Sequence, residues 1–127
     1  MGMKTAALLV GLFATSASAQ DLLPRYEAAQ VALDGRMLSM MGNDPAKARW
    51  SPERRGKSAC ALAELERLRG RPVAEAYVRE VEYAIGEAHR LTRAADFGGL
   101  AARIHRNAGI RFQRDLVPIT RKCGIGL

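Results

Sequence analysis

The spacing of apolar residues along the chain predicts helices throughout the region after residue 20. Apolar side chains recur every three or four residues in four segments, and no segment shows the strict apolar–polar alternation of a half-buried strand. The segments run from about 22 to 41, 52 to 70, 72 to 95 and 100 to about 123. In the fourth, the positions expected to face the core are Ile104, Ala108, Phe112, Leu116 and Ile119. This pattern predicts an all-α protein.

Glycine, proline and capping residues separate the four predicted helices. The first should stop at residues 42–45, Gly-Asn-Asp-Pro, and Ser51 can cap the second, which ends at Gly70. Gly98 and the glycine after it break the chain before the fourth helix. Pro118 must kink that helix or split off a final turn, because proline has no N–H to donate. Four amphipathic helices with short connections predict a single four-helix bundle-like domain.

The first 19 residues have the pattern of a cleavable signal peptide. Lys4 provides a positive start, residues 6–14 form a short apolar core, and residues 17–19 read Ala-Ser-Ala. We therefore expect cleavage between Ala19 and Gln20, which leaves residues 20–127 as a helical domain in the bacterial periplasm or secreted from the cell. No segment of that mature chain is long and apolar enough to predict a transmembrane span.

Export changes the interpretation of the two cysteines, Cys60 and Cys123. In an oxidising compartment an isolated cysteine pair usually forms a disulfide. The two lie too far apart in sequence for a C-x-x-C redox or metal motif. We predict a structural Cys60–Cys123 disulfide that ties the second helix to the end of the chain.

The distribution of charge suggests a binding partner. The chain has 20 basic and 13 acidic residues, a net charge of +7, and loss of Lys4 with the signal peptide reduces this to +6. Residues 99–127 contain only one acidic residue, and a second basic cluster surrounds Trp50. Such asymmetry favours an acidic protein or an anionic envelope component as partner. Nucleic acid is not expected, because of export and the lack of a recognition motif. The candidate binding residues are Arg103, Arg106, Arg111, Arg114 and Trp50.

A cluster of methionines supports an alternative function. Met37, Met40 and Met41 share one helix surface, and soft thioethers in an oxidising compartment can hold Cu(I). Methionine also simply fills irregular gaps where helices meet. The C-x-x-C-H haem attachment motif is absent, although Met37 or Met40 together with His105 could hold a non-covalent haem. The alternative is therefore a metal- or haem-carrying helical bundle.

Catalytic motifs are missing from the sequence. The serines have no nucleophile-elbow glycines, and neither His89 nor His105 has a metal-binding side chain three or four residues away. The preferred interpretation is a non-catalytic binding or interaction protein without a cofactor, whose basic C-terminal helix meets an acidic envelope partner.

Overall fold

Five α-helices make up most of the region that the computed structural model describes, which is residue 2 and residues 19–127. They are α1 (Ala19–Met40), α2 (Pro52–Arg69), α3 (Arg71–Ala88), α4 (Phe97–Ala108) and α5 (Val117–Cys123). Short 3₁₀ turns lie at Pro45–Ala48 and Ala94–Asp96, and a π-helical turn at Phe112–Leu116 leads into α5.

The predicted all-α fold is confirmed, since residues 19–127 contain no strand. Within the same range, no helix combines the length and the apolar character that crossing a membrane requires. The predicted signal peptide, residues 1–19, lies outside the described residues except for Gly2 and Ala19.

Local chemistry explains where α2 and α3 begin. The hydroxyl of Ser51 accepts a hydrogen bond from the backbone N–H of Arg54 at 3.1 Å, and Pro52 occupies the first helical position. Gly70 alone links α2 to α3, with φ 87° and ψ 163°. That conformation is open to glycine but strained for other residues, so the sharp reversal between these helices depends on it.

The core surrounds α3, which contacts α1, α2 and α4, while α2 also contacts α5. Side chains from the apolar stripes of the helices meet there, as the spacing of apolar residues predicts. The largest fully buried apolar residues are Leu22, Leu62, Leu65, Tyr77, Val78, Val81 and Ile119. Three helices pack against α3, so its position determines where the helices that carry the candidate sites lie.

The third helix ends at Ala88, earlier than the predicted residue 95. The guanidinium group of Arg36, on α1, donates hydrogen bonds to the backbone oxygens of Ala88 and Leu91, both at 3.3 Å. These bonds satisfy carbonyl groups that a helix end leaves free. A contact between helices therefore stabilises the early end.

The predicted fourth helix is two helices, and the break lies at Gly109. The N–H of Gly109 bonds to the oxygen of Arg106 at 3.1 Å, and the N–H of Ile110 bonds to that of His105 at 2.9 Å. With φ 75° at Gly109 and a buried Ile110, this is a Schellman motif. Pro118, predicted to interrupt the helix, lies in the first turn of α5, where its missing N–H costs little.

The predicted disulfide between Cys60 and Cys123 is confirmed, with the two Cα atoms 5.6 Å apart. It joins α2 to the last residue of α5. The same two helices are linked by Lys122, whose Nζ donates to Glu64 Oε2 at 2.8 Å. The short α5 is thus held on α2 by a covalent bond and an ion pair.

Removal of the disulfide should destabilise the domain. Its ring spans 63 residues, so a Cys60→Ala/Cys123→Ala variant should lose about 2–5 kcal/mol of unfolding free energy, because the unfolded chain gains freedom. Urea denaturation followed by circular dichroism measures this loss. A reducing agent should destabilise the wild type by a similar amount and leave the variant unaffected. Equal stability of variant and wild type would contradict the prediction.

Acid should destabilise the domain partly through Glu64. Hydrogen bonds from Arg67 and then Lys122 lower the pKa of this buried carboxyl group from 4.5 to about 2. A pKa lowered by folding adds stability above the unfolded value, and that stability is lost as the pH falls from about 4.5 towards 2. Glu64→Gln should be less stable than the wild type at pH 7, with the difference shrinking over this range. Urea midpoints from pH 7 to pH 2.5 measure it, and a gap that stays constant would rule it out.

Candidate functional site

Trp50, predicted as a binding residue, lies in the core and is only 5% exposed. Its ring packs edge-on against Tyr26 with 5.4 Å between centroids, and the guanidinium carbon of Arg54 lies 5.2 Å from the indole centroid. The indole Nε1 has no hydrogen-bond partner among the described residues. Burial leaves little of this side chain for a partner to contact.

The four predicted arginines are in two different situations. Arg103 forms an ion pair with Glu87, and Arg114 is bonded to Asp115. The exposed side chains of Arg106 and Arg111 form no ion pair or hydrogen bond within residues 19–127. Of these four, only Arg106 and Arg111 therefore have guanidinium groups that are free of intramolecular partners among the described residues.

The buried carboxylate of Asp115 organises the turn from Gly109 to Asp115. It is 1% exposed and accepts hydrogen bonds from Arg69 Nη1 at 2.8 Å, from the backbone N–H of Arg111 at 2.8 Å and from Arg114 Nε at 3.0 Å. The same two arginine side chains donate to the backbone oxygen of Gly109, at 3.0 and 2.9 Å. Each end of the turn is therefore held by charge-assisted hydrogen bonds, which are stronger than neutral ones.

Phe112 projects from this turn and is 68% exposed, although its position in the sequence predicts a core residue. That prediction is wrong because the break at Gly109 and the π-helical turn change which side of the chain faces the core. Leu116 and Ile119, predicted with it, are buried. Phe112 follows Arg111 in the chain, so an exposed aromatic ring and an unpaired guanidinium group belong to adjacent residues of the turn. The sequence signal that could have indicated this arrangement is Gly109, a typical residue after a helix end.

The methionines of the alternative function differ in exposure. Met37 and Met40 are half-buried, whereas Met41 is 57% exposed. The copper site stays a prediction. Within residues 19–127, no group of three or more His, Cys, Asp or Glu side chains is placed to hold a metal ion.

The two histidines occupy different environments. His89 is exposed at the end of α3. His105 is half-buried: its Nε2 lies 2.9 Å from the backbone oxygen of Leu127, and its ring is nearly parallel to that of Tyr77, with centroids 6.0 Å apart. Met37 and His105 line the same pocket, whose volume is about 220 Å³. This is below the roughly 300–1,000 Å³ of drug-sized ligand pockets. The non-covalent haem site stays a prediction.

Loss of the Asp115 carboxylate should loosen the turn and destabilise the domain. Asp115→Ala leaves the largely buried Arg69 and the N–H of Arg111 without their partner, at a cost of about 3–5 kcal/mol of unfolding free energy. Asp96→Ala is the control, because its exposed pair with Arg93 should contribute less than about 1 kcal/mol. Urea denaturation compares the two variants, and similar losses in both would show that Asp115 does not anchor the turn.

Comparison with known proteins finds no matching protein-family model, no similar curated protein and no similar solved structure. The function is therefore inferred from the side chains of this chain and their contacts. Within the described region, the Gly109–Asp115 turn combines an exposed aromatic side chain, an unpaired cation and a backbone held at both ends by hydrogen bonds. This turn is the candidate binding site.

Proposed function

We propose that the chain is an exported, non-catalytic binding protein of the bacterial envelope that docks onto an acidic protein through its Gly109–Asp115 turn. The observation that carries the proposal is Phe112, 68% exposed in a turn anchored by Asp115 and next to the unpaired Arg111. The signal-peptide pattern of residues 1–19 supports the location, in the periplasm or outside the cell.

The composition and rigidity of the turn suit protein binding. Aromatic residues and arginine are enriched among the few residues that dominate binding energy at protein interfaces. Binding costs less when the contacting groups are already held in place. The bonds from Asp115 to the backbone N–H of Arg111 and from two arginines to Gly109 provide that order around Phe112 before any partner arrives.

The charge around the turn favours an acidic partner. The single acidic residue of region 99–127, Asp115, is buried and bonded to arginines, so it adds no negative charge to the surface. Arg106, Arg111 and Arg121 are exposed and have no ion pair among the described residues. Complementary charge raises the association rate and excludes partners of the same sign.

A protein fits this surface better than a lipid membrane. Attachment to anionic lipids typically uses clusters of 4–8 basic residues or a long amphipathic helix with an apolar face. The turn has one exposed aromatic ring, Phe112, and a few unpaired arginines, which suits a local contact. Lipid as the bound species is an outcome that the experiment below can detect.

Site-specific cross-linking in cells tests the proposal. A photo-reactive benzoylphenylalanine replaces Phe112 in one variant and Tyr83 in the control, since Tyr83 is 66% exposed on α3. The variant at position 112 should yield a discrete adduct with an acidic protein of the envelope, identified by mass spectrometry, and the control should not. No adduct, the same adducts at both positions, a basic protein or an adduct with lipid alone would each contradict the proposal.

Binding measurements with the purified cross-linked partner give the energetic test. Phe112→Ser and Arg111→Ser should each raise Kd by about tenfold or more, as expected for a central aromatic or arginine contact. Tyr83→Ser is the matched control and should change Kd by less than about twofold. Calorimetry at low and high salt should also show weaker binding at high salt, because exposed charges are screened. A Kd that does not change with salt concentration, or that neither substitution raises, would overturn the proposal.

A further inference from the structure

We propose that the pocket between α1, α3 and α4 binds a small neutral molecule with an apolar body and one hydrogen-bond donor, such as a simple phenol or alcohol. The pocket has a volume of about 220 Å³, and Leu127 is among its lining residues. It involves none of the residues of the Gly109–Asp115 turn, so this inference is independent of the proposed docking function.

The lining residues and the volume of the pocket indicate the size and the apolar character of the ligand. Most of the lining is apolar and comes from three helices and the C-terminal residue. An apolar protein cavity of about 150 Å³ is enough to bind benzene, so this pocket has room for one ring with a small substituent. The apolar lining residues include Leu33, Val81, Phe97, Leu100 and Ile104.

The polar lining residues indicate which polar group the ligand carries. Donor atoms of these residues already bond to other protein groups, whereas several of their acceptor atoms are free. Gln30 Nε2 donates to Asp34 Oδ1 at 3.0 Å, and the Tyr77 hydroxyl donates to that of Tyr26 at 3.3 Å. His105 Nε2 lies 2.9 Å from the oxygen of Leu127, which can only accept, so Nε2 donates to it. The amide oxygen of Gln30 and the remaining lone pairs of Asp34 are acceptors. A ligand that donates a hydrogen bond complements this set.

The charge at the pocket favours a neutral ligand. The Asp34 carboxylate is paired with Arg54, whose Nη2 lies 3.1 Å from Asp34 Oδ2, so its charge is largely compensated. A second cation would compete with Arg54 for this carboxylate. A ligand carboxylate would bring a second negative charge into the pocket that Asp34 lines, and only the second N–H of Gln30 Nε2 could donate to it. Neutral hydroxyl groups avoid both conflicts.

Nuclear magnetic resonance titration of the purified protein tests the pocket with phenol, toluene, benzylamine and benzoate as probes. Phenol at millimolar concentration should shift the methyl resonances of Val81, Leu100 and Ile104, which line the pocket. Toluene should bind at least about threefold more weakly, because it lacks the hydrogen bond. Benzylamine and benzoate should bind at least about tenfold more weakly than phenol, because each brings an uncompensated charge. No shift with phenol, or binding of any other probe as tight as phenol, would overturn the proposal.

A pair of substitutions on α4 locates the binding. Ala101 lines the pocket and is exposed at its rim, so Ala101→Phe should block phenol binding without disturbing the core. Ala102 is exposed on the same helix and does not line the pocket, so Ala102→Phe should leave binding unchanged. Circular dichroism and urea midpoints check that both variants are folded. Unchanged binding in the Ala101 variant, or equal loss in both folded variants, would show that phenol binds elsewhere.

Discussion

The burial of a single carboxylate, that of Asp115, determines how the turn after α4 is arranged and how it is attached to α2. A charge that is 1% exposed requires compensation, and Arg69 from α2, Arg114 and the backbone of Arg111 provide it. Because Arg69 and Arg114 also bond to the oxygen of Gly109, the two ends of the turn are fixed to each other and to α2. The exposed ring of Phe112 is a consequence of this arrangement.

A second attachment holds the same region to α2. The Cys60–Cys123 disulfide and the Glu64–Lys122 ion pair join α2 to the end of α5. A seven-residue helix contributes little apolar burial of its own and would fray without such links. With Arg69 at one end of α2 and Cys60 nearer its middle, the chain after Gly109 is tied at two separate points along one helix. The segment that contains the candidate docking surface is therefore attached to α2 by hydrogen bonds near its start and by the disulfide near its end.

The two proposed sites use different properties of the fold. The Gly109–Asp115 turn exposes charge and one aromatic ring to a large partner, whereas the pocket beside α3 encloses apolar side chains and acceptor atoms. His105 lines the pocket, and its backbone oxygen accepts the N–H of Ile110 in the motif that begins the turn. The turn and the pocket are consequently neighbours along α4 and chemically distinct.

The sequence by itself determined the helical content, the break at Gly70, the capping role of Ser51 and the disulfide. These features follow from local periodicity, from the conformational preferences of glycine and proline, and from the presence of only two cysteines. The break predicted at Gly98 and Gly99 is wrong, because both glycines lie in the first turn of α4, and the chain leaves the helical conformation earlier, after Ala88.

Tertiary structure alone decided the rest. Arg36, far away in the chain, supports the early end of α3, and Asp115 selects which arginines are neutralised. Trp50, predicted to be available to a partner, is buried against Tyr26. Phe112, predicted to face the core, is exposed after the helix break. Many ion pairs and core contacts join residues that are distant in sequence. Composition and local periodicity therefore cannot predict which residues meet.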